Sequence, residues 1–177
     1  GCSIIVCWKE KYMEILKLFK YRINHTPNNV CLYSPEIEIT FNVLDKYSNE
    51  IANQILSKTN KDIIPIYIDD DIYVLPVVLS IMKAGKVPLP LTTSLPYNQS
   101  IGRISEVDYD LVISNNLMDL QNVMTIPKWS EFEIEEKIED VRNSISFKDS
   151  DIAYIICTSG STGVPKKVFL SHSNINW

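Results

Sequence analysis

Residues 151–172 read DIAYIICTSGSTGVPKKVFLSH, in which two apolar runs flank a loop of small, hydroxylic and glycine residues. The first run, residues 152–157, is rich in β-forming side chains and predicts a buried strand. Residues 168–170 predict a second, shorter strand. The loop between the two runs is the most chemically informative part of the sequence, and the rest of the chain is interpreted around it.

The composition of this loop suits an oligophosphate. Glycine adopts positive φ readily, so Gly160 and Gly163 let the main chain approach a ligand and let neighbouring N–H groups converge on an anion. Hydroxyl groups add further donors, and a lysine adds a positive charge. We therefore predict that the cofactor-binding residues are Thr158, Ser159, Gly160, Ser161, Thr162, Gly163 and Lys166.

The alternative interpretation of the loop is a simple polar hairpin, because glycine, serine, threonine and proline are the ordinary residues of turns. The apolar run before the loop, the lysine after it and the Ser-His-Ser-Asn sequence that follows favour phosphate binding. A Walker A loop does not fit. That motif needs lysine directly after its last glycine and then a helix, whereas Val164 and Pro165 follow Gly163 and lead into an apolar run.

Length and composition limit the class of protein. The 177 residues are enough for one domain with a sizeable core. The net charge of −5 argues against a nucleic-acid partner or an anionic membrane surface. The four cysteines include no Cys-x-x-Cys, and His25 and His172 are far apart, so we predict no metal-binding residues.

Scattered thiols in apolar surroundings are typical of a reducing compartment. No convincing signal peptide is present, and the longest apolar run is shorter than the ~20 residues that a membrane helix needs. We therefore expect a cytoplasmic protein with no membrane partner. The sequence starts with glycine and stops at Trp177 where a helix is expected to start, so we interpret it as part of a longer protein.

Helical and strand patterns alternate along the chain. One helical face includes Tyr12, Ile15, Leu16, Phe19 and Ile23, and a second helix, capped by Thr40, buries Leu44, Tyr47, Ser48, Ile51 and Ile55. Further helices are predicted at residues 72–84, with the regular part starting near Pro76 and Gly85 as the stop, and at residues 96–107. Strands are predicted at residues 31–33, 37–40, 63–68, 87–91, 111–114 and 123–126. The prolines of the fourth indicate either an edge strand or a strand that soon becomes loop. This alternation predicts an α/β fold with a parallel-rich sheet and flanking helices.

Four other features have competing interpretations. Asp69, Asp70 and Asp71 could bind a metal, but acidic residues are also favoured at the start of a helix, and we favour the cap. His172 could be a general base, but no carboxylate neighbour is identifiable and a structural role is preferred. Lys83 could contact substrate, but we expect it to solvate the end of its helix. Residues 128–150 are acidic with a weak apolar pattern; they could be an interaction tail, but we favour a solvated connector within the domain.

The loop and its flanks resemble a known family. Residues 158–166, TSGSTGVPK, are similar without a gap to the AMP-binding signature of the adenylate-forming enzymes. These enzymes include acyl-CoA synthetases, luciferases and the amino-acid adenylation domains of nonribosomal peptide synthetases. Ser171, His172 and Asn174 continue the family pattern, whereas Lys167 stands where the family usually has glycine.

Earlier segments extend the resemblance. Residues 39–44, ITFNVL, resemble the T-[YF]-x-x-L motif of the family, and NEIA at residues 49–52 resembles its continuation. Residues 81–91, IMKAGKVPLPL, resemble the K-A-G-x-x-x-x-P-L motif, and Pro96 and Arg103 fall near the P-x-x-R element. The resemblance covers residues 15–174 and is weakest in the acidic connector.

The resemblance implies that residues 1–177 are a partial AMP-binding domain, namely the N-terminal segment of its large subdomain, ending in a strand–phosphate loop–strand hairpin. The implied enzyme uses ATP and Mg²⁺ to convert a small carboxylate or an amino acid into an acyl-adenylate and pyrophosphate. A phosphopantetheine carrier domain or coenzyme A is the implied acceptor. The family's catalytic lysine and adenosine pocket lie later than these motifs, so we assign no catalytic residue here and expect residues 1–177 alone to be inactive.

The motifs are most similar to those of amino-acid adenylation domains, and this is our preferred hypothesis. An acyl- or aryl-CoA ligase is the alternative among enzymes. A non-catalytic, truncated remnant with weak nucleotide binding is the alternative from another class of protein.

Overall fold

The structure is a computed structural model that describes residues 9–132, 152–158 and 166–171, with side chains described for residues 15–132. Its helices are α1 (Lys9–His25), α2 (Phe41–Lys58), α3 (Val74–Lys83) and α4 (Tyr97–Gly102). Its strands are β1 (Val30–Ser34), β2 (Ile37–Thr40), β3 (Ile63–Tyr67), β4 (Val87–Pro90), β5 (Val112–Ser114), β6 (Val123–Thr125), β7 (Ile152–Thr158) and β8 (Lys166–Ser171). Short 3₁₀ turns span Asp71–Tyr73 and Trp129–Glu131.

A four-stranded sheet in the order β4-β3-β5-β6 forms the centre, and all of its pairings are parallel. Parallel strands buried on both faces are near-continuous apolar runs, as in β3 and β5. Two antiparallel hairpins, β1–β2 and β7–β8, lie outside this sheet. The predicted α/β class, the parallel-rich sheet and the closing hairpin are confirmed.

Strand β4 is at the edge of the sheet, as its prolines predict. The N–H groups of Val87 and Leu91 donate to the carbonyls of Asp62 and Ile66 on the β3 side. Because successive backbone groups of a strand point in opposite directions, Pro88 and Pro90 stand where an N–H would face away from β3. Strand β7 lies beside β4, yet among the described residues no ladder joins the two strands.

Helix α2 has the predicted cap and buried stripe. The Thr40 hydroxyl accepts a hydrogen bond from the N–H of Val43 at 3.4 Å. The predicted core positions Leu44, Tyr47, Ser48, Ile51 and Ile55 are all buried. Helix α1 deviates from its predicted face: Leu16 is buried, but Ile15 is 40% exposed, because α1 contacts the body of the domain along a narrower stripe than the sequence pattern suggests.

Two predicted helices have different bounds. Helix α3 starts at Val74, two residues before Pro76, because proline is tolerated in the first turn of a helix, where its missing N–H has no partner to lose. Helix α4 ends at Gly102 instead of residue 107, and the chain continues in turns with an i→i−3 bond from Val107 to Ile104. Glycine has a low helix propensity, which favours the early end.

An aromatic cluster holds the segment after β6 against the helices. The ring of Trp129 lies 4.0 Å from that of Tyr47 and 5.8 Å from that of Tyr73, and the Tyr47 hydroxyl donates to the Pro127 carbonyl at 2.7 Å. Burial raises the pKa of the Tyr47 phenol. Trp129 is only 9% exposed, so the packed body continues past residue 128, where the sequence predicts the start of the connector. Residues 133–150 of that connector lie outside the described residues.

None of the described helices is both long and apolar enough to cross a membrane.

The turn after α3 requires glycine. Gly85 has φ 69°, its N–H donates to the carbonyl of Met82, and the N–H of Lys86 donates to that of Ile81, which together form a Schellman motif. An L side chain at this φ brings its Cβ close to the following carbonyl. We therefore predict that Gly85→Ala lowers the free energy of unfolding by about 1 kcal/mol, measured by urea denaturation of the intact protein.

Gly102→Ala is the matched control, because nothing lies within 4 Å of an added Cβ and the position is helical. That change should be neutral or raise the free energy of unfolding by up to about 1 kcal/mol. Equal losses of stability in the two variants would contradict the role assigned to the Gly85 turn.

Candidate functional site

The predicted phosphate loop joins the two strands of the β7–β8 hairpin. The strands are antiparallel, and their register ends with Cys157 opposite Lys167 and Thr158 opposite Lys166. The predicted antiparallel pair is confirmed, and a strand follows the loop. Ser159, Gly160, Ser161, Thr162 and Gly163 lie outside the described residues, as does His172, so their predicted roles stay predictions.

The structure corrects the ends of the loop. Both predicted strands are longer than their apolar runs, since β7 includes Thr158 and β8 begins at Lys166, two residues before Val168. Ladder hydrogen bonds use backbone groups that every residue except proline carries, so pairing continues through polar side chains once two strands are aligned. Among the described residues, Thr158 and Lys166 are thus the last pair of the ladder before the loop.

The surroundings of β7 come from two distant parts of the sequence. Strand β4 lies beside β7, and helix α1 also contacts it. Strand β4 belongs to the segment that carries the K-A-G and P-L motifs. The structure therefore brings these motifs next to the strand that leads into the predicted phosphate loop.

Lys83 of the K-A-G motif corrects another prediction, because it is fully buried instead of solvating the end of its helix. Its Nζ donates to the Asp45 carboxylate at 2.7 Å, the Ser48 hydroxyl at 2.7 Å and the Asn49 side-chain carbonyl at 2.8 Å. It also donates to the Asp45 main-chain carbonyl at 3.1 Å and lies 5.3 Å from the centre of the Phe19 ring. A buried charge needs such partners to offset its desolvation.

Sequence reasoning missed this cluster, although one signal was available. Ser48 and Asn49 are polar residues on the otherwise apolar buried stripe of α2. Buried polar side chains need hydrogen-bond partners, and an unassigned cation in a nearby motif is a natural one.

Two of the three consecutive aspartates accept hydrogen bonds that define their roles. The Asp70 carboxylate accepts from the N–H of Ile72 at 3.2 Å, which confirms the predicted cap, although the element is the 3₁₀ turn before α3. The Asp69 carboxylate accepts from the side-chain amides of Asn115 and Asn116, both at 2.8 Å, and these bonds lower the pKa of Asp69. Among the described residues no cluster of His, Cys, Asp and Glu could hold a metal ion.

An open pocket of about 410 Å³ lies between the β1–β2 turn, the 3₁₀ turn before α3 and Trp129. Its lining includes charged residues of both signs: Glu36 and Asp70 are acidic, and Lys128 is basic.

The chain is similar to known proteins along most of its length. The family model described as AMP-binding enzyme matches residues 19–177. A nonribosomal peptide synthetase, SIDC of Beauveria bassiana, is 38% identical over 149 residues, covering 77% of this chain and 3% of that protein. The curated relatives are much longer proteins, and the chain spans from 2% to 6% of their length in the matches compared.

Two solved structures show the same fold. The N-terminal subdomain of NpsA from Klebsiella oxytoca, in complex with 3-hydroxyanthranilyl-AMSN, has a TM-score of 0.65 at 23% identity and covers 88% of this chain and 40% of that one. The fatty acyl-adenylate ligase from L. pneumophila, in complex with acyl adenylate and pyrophosphate, has a TM-score of 0.66 at 22% identity and covers 93% and 32%. The family match includes both the K-A-G segment and the β7–β8 hairpin, and the chain belongs to the AMP-binding enzyme family.

Proposed function

We propose that this chain forms the phosphate-binding part of an enzyme that uses ATP to activate a carboxylate, with an amino acid as the substrate. The observation that carries the proposal is the register of the β7–β8 hairpin, in which Thr158 and Lys166 close the ends of a glycine- and hydroxyl-rich loop. Membership of the AMP-binding family supports the reaction class. The similarity to a peptide synthetase favours an amino-acid substrate.

In the proposed reaction a carboxylate oxygen of the substrate attacks the α-phosphorus of ATP. The bond from that phosphorus to the bridging oxygen breaks, and pyrophosphate leaves with its electrons and its charge. The proposed task of Thr158, Ser159, Gly160, Ser161, Thr162, Gly163 and Lys166 is to hold the β- and γ-phosphates. Backbone N–H groups and hydroxyls donate hydrogen bonds to them, and the Lys166 ammonium offsets their charge. Mg²⁺ would offset further phosphate charge.

Two other functions are compatible with the same site. A fatty acyl-adenylate ligase shares the fold, so an acyl- or aryl-CoA ligase is the alternative enzyme, with coenzyme A instead of a phosphopantetheine carrier domain as acceptor. A truncated remnant that binds nucleotide weakly is the non-catalytic alternative. We also propose a cytoplasmic location, which the scattered cysteines of the sequence favour.

We predict that a polypeptide of residues 1–177 alone does not catalyse adenylation. The physical reason is that the motifs in this sequence supply phosphate contacts and scaffold but no adenosine pocket. The measurement is exchange of labelled pyrophosphate into ATP, dependent on an added carboxylate, with the purified polypeptide. Exchange that persists after removal of contaminating synthetases would show that residues 1–177 contain a complete active site.

In the intact protein, Lys166→Ala should lower kcat as well as the affinity for ATP. If Lys166 holds the departing pyrophosphate, its interaction strengthens as charge develops in the transition state. We expect a loss on the order of 10–1000-fold in kcat/KM. Steady-state kinetics measure it, and circular dichroism confirms that the variant is folded.

Two further variants separate charge from backbone effects at the same site. Lys166→Arg should recover little activity, because a planar guanidinium fits a different geometry from a compact ammonium. Lys167→Gly, which introduces the usual residue of the family, should be neutral or mildly favourable. Near-normal turnover of folded Lys166→Ala would remove Lys166 from the site and make Lys167 the candidate phosphate ligand.

A further inference from the structure

Strand β7 carries the first residue of the predicted phosphate loop, and among the described residues it is supported by its hairpin partner and two neighbouring elements. Its ladder partner is β8, the other half of the same hairpin. No ladder joins it to β4 within the described part of the chain, where Pro88 and Pro90 remove the donors that would face it. The placement of the hairpin on the domain therefore depends on how firmly the two elements beside β7, namely β4 and α1, are held.

Both of these elements are connected to Lys83, α1 through a side-chain contact and β4 through the chain. Helix α1 reaches the lysine through Phe19, whose ring lies 5.3 Å from the ammonium nitrogen and 5.9 Å from the ring of Phe41 in α2. Strand β4 follows Lys83 after a tight Schellman turn, so that fixing the last residue of α3 also fixes the start of β4. Asp45, Ser48 and Asn49 of α2 accept hydrogen bonds from the same ammonium. We call this meeting point of α1, α2, α3 and the start of β4 the junction.

We propose that Lys83 is a positioning residue for the phosphate site: its buried ammonium locks α1 and the start of β4 on α2, and thereby sets the position of β7 and of the loop that β7 opens. The functional part of this inference rests on the proposed ATP site, whereas the structural part concerns β7 alone. The three N–H donors of the ammonium are shared among four oxygens, and charge-assisted hydrogen bonds are shorter and stronger than neutral ones, so they fix the position of the junction more tightly than apolar contacts alone.

A merely structural role for Lys83 has a different consequence. If the lysine only stabilised the fold, its loss would lower the fraction of folded protein, and the remaining folded molecules would bind ATP normally. If it positions β7, the folded molecules themselves bind ATP less well, because a displacement on the order of 1 Å at a binding site is costly. Kinetics on folded protein, together with hydrogen exchange in β7, separate the two roles.

The test compares Lys83→Met with the wild-type intact protein, since methionine has similar length but no charge. Lys58→Met, an exposed position at the end of α2, is the matched control. We expect the KM for ATP to rise about tenfold in Lys83→Met while the KM for the carboxylate substrate stays within twofold. Amide hydrogen exchange, followed by mass spectrometry, should accelerate in peptides covering residues 152–158 more than in peptides covering β5 and β6.

Each outcome decides the proposal. An unchanged KM for ATP in active-site-titrated protein, with exchange accelerated equally in all strands, would overturn it and leave Lys83 a purely structural residue. If Lys83→Met does not fold, Ser48→Ala takes its place, because it removes one of the acceptors and keeps the charge. If amide hydrogen exchange in β7 is the same in Ser48→Ala as in the wild type, the inference is overturned. Absence of ATP-dependent activity in the wild type would instead refute the proposed function, and the exchange of β7 would still decide the role of Lys83.

Discussion

The buried ammonium of Lys83, on α3, is the polar interaction that joins α1, α2 and α3. Removing a lysine from water costs several kcal/mol unless its charge is paired and its donors are satisfied. Here the side chain of Asp45, which is 14% exposed, supplies the opposite charge, and neighbouring oxygens of α2 complete the shell. Apolar contacts between α2 and α3 are not directional, whereas these hydrogen bonds require the oxygens of α2 to lie within reach of one nitrogen on α3.

The parallel sheet imposes a second constraint, on where polar groups gather. The carboxyl ends of β3 and β5 lie side by side at one end of the sheet. Asp69 after β3 therefore forms hydrogen bonds with the two asparagines after β5, and these bonds link segments distant in sequence. A polar side chain also links two loops at the amino-terminal ends of the strands. There the Lys86 amine donates to the Lys61 carbonyl at 2.7 Å, and burial lowers the pKa of that amine. Polar side chains thus tie the loops at both ends of the strands.

The hairpin has a consequence for the proposed phosphate site. When an antiparallel ladder runs up to the pair Thr158 and Lys166, the two ends of the loop are held at the spacing of paired strands. The entropy of bringing these two ends together is then lost during folding and not on binding of the proposed ligand, which would favour affinity. Within the described part of the chain no ladder joins this hairpin to the central sheet, and the prolines of β4 offer no donors on that side. Packing against β4 and α1 relates strand β7 to the rest of the described residues.

The sequence alone determined the α/β class, the cap at Thr40, the buried stripe of α2, the glycine stop of α3, the edge position of β4 and the antiparallel pair around the loop. Each of these depends on local chemistry or on a short periodic pattern. Tertiary structure decided the rest. The burial of Lys83 depends on oxygens from residues 45–49, which come close to its ammonium only in the folded chain. The burial of Trp129 depends on the rings of Tyr47 and Tyr73, and the ends of β7 and β8 depend on backbone pairing that side-chain apolarity does not record. Sequence patterns report the environment along one element, whereas these features arise where elements distant in the chain meet.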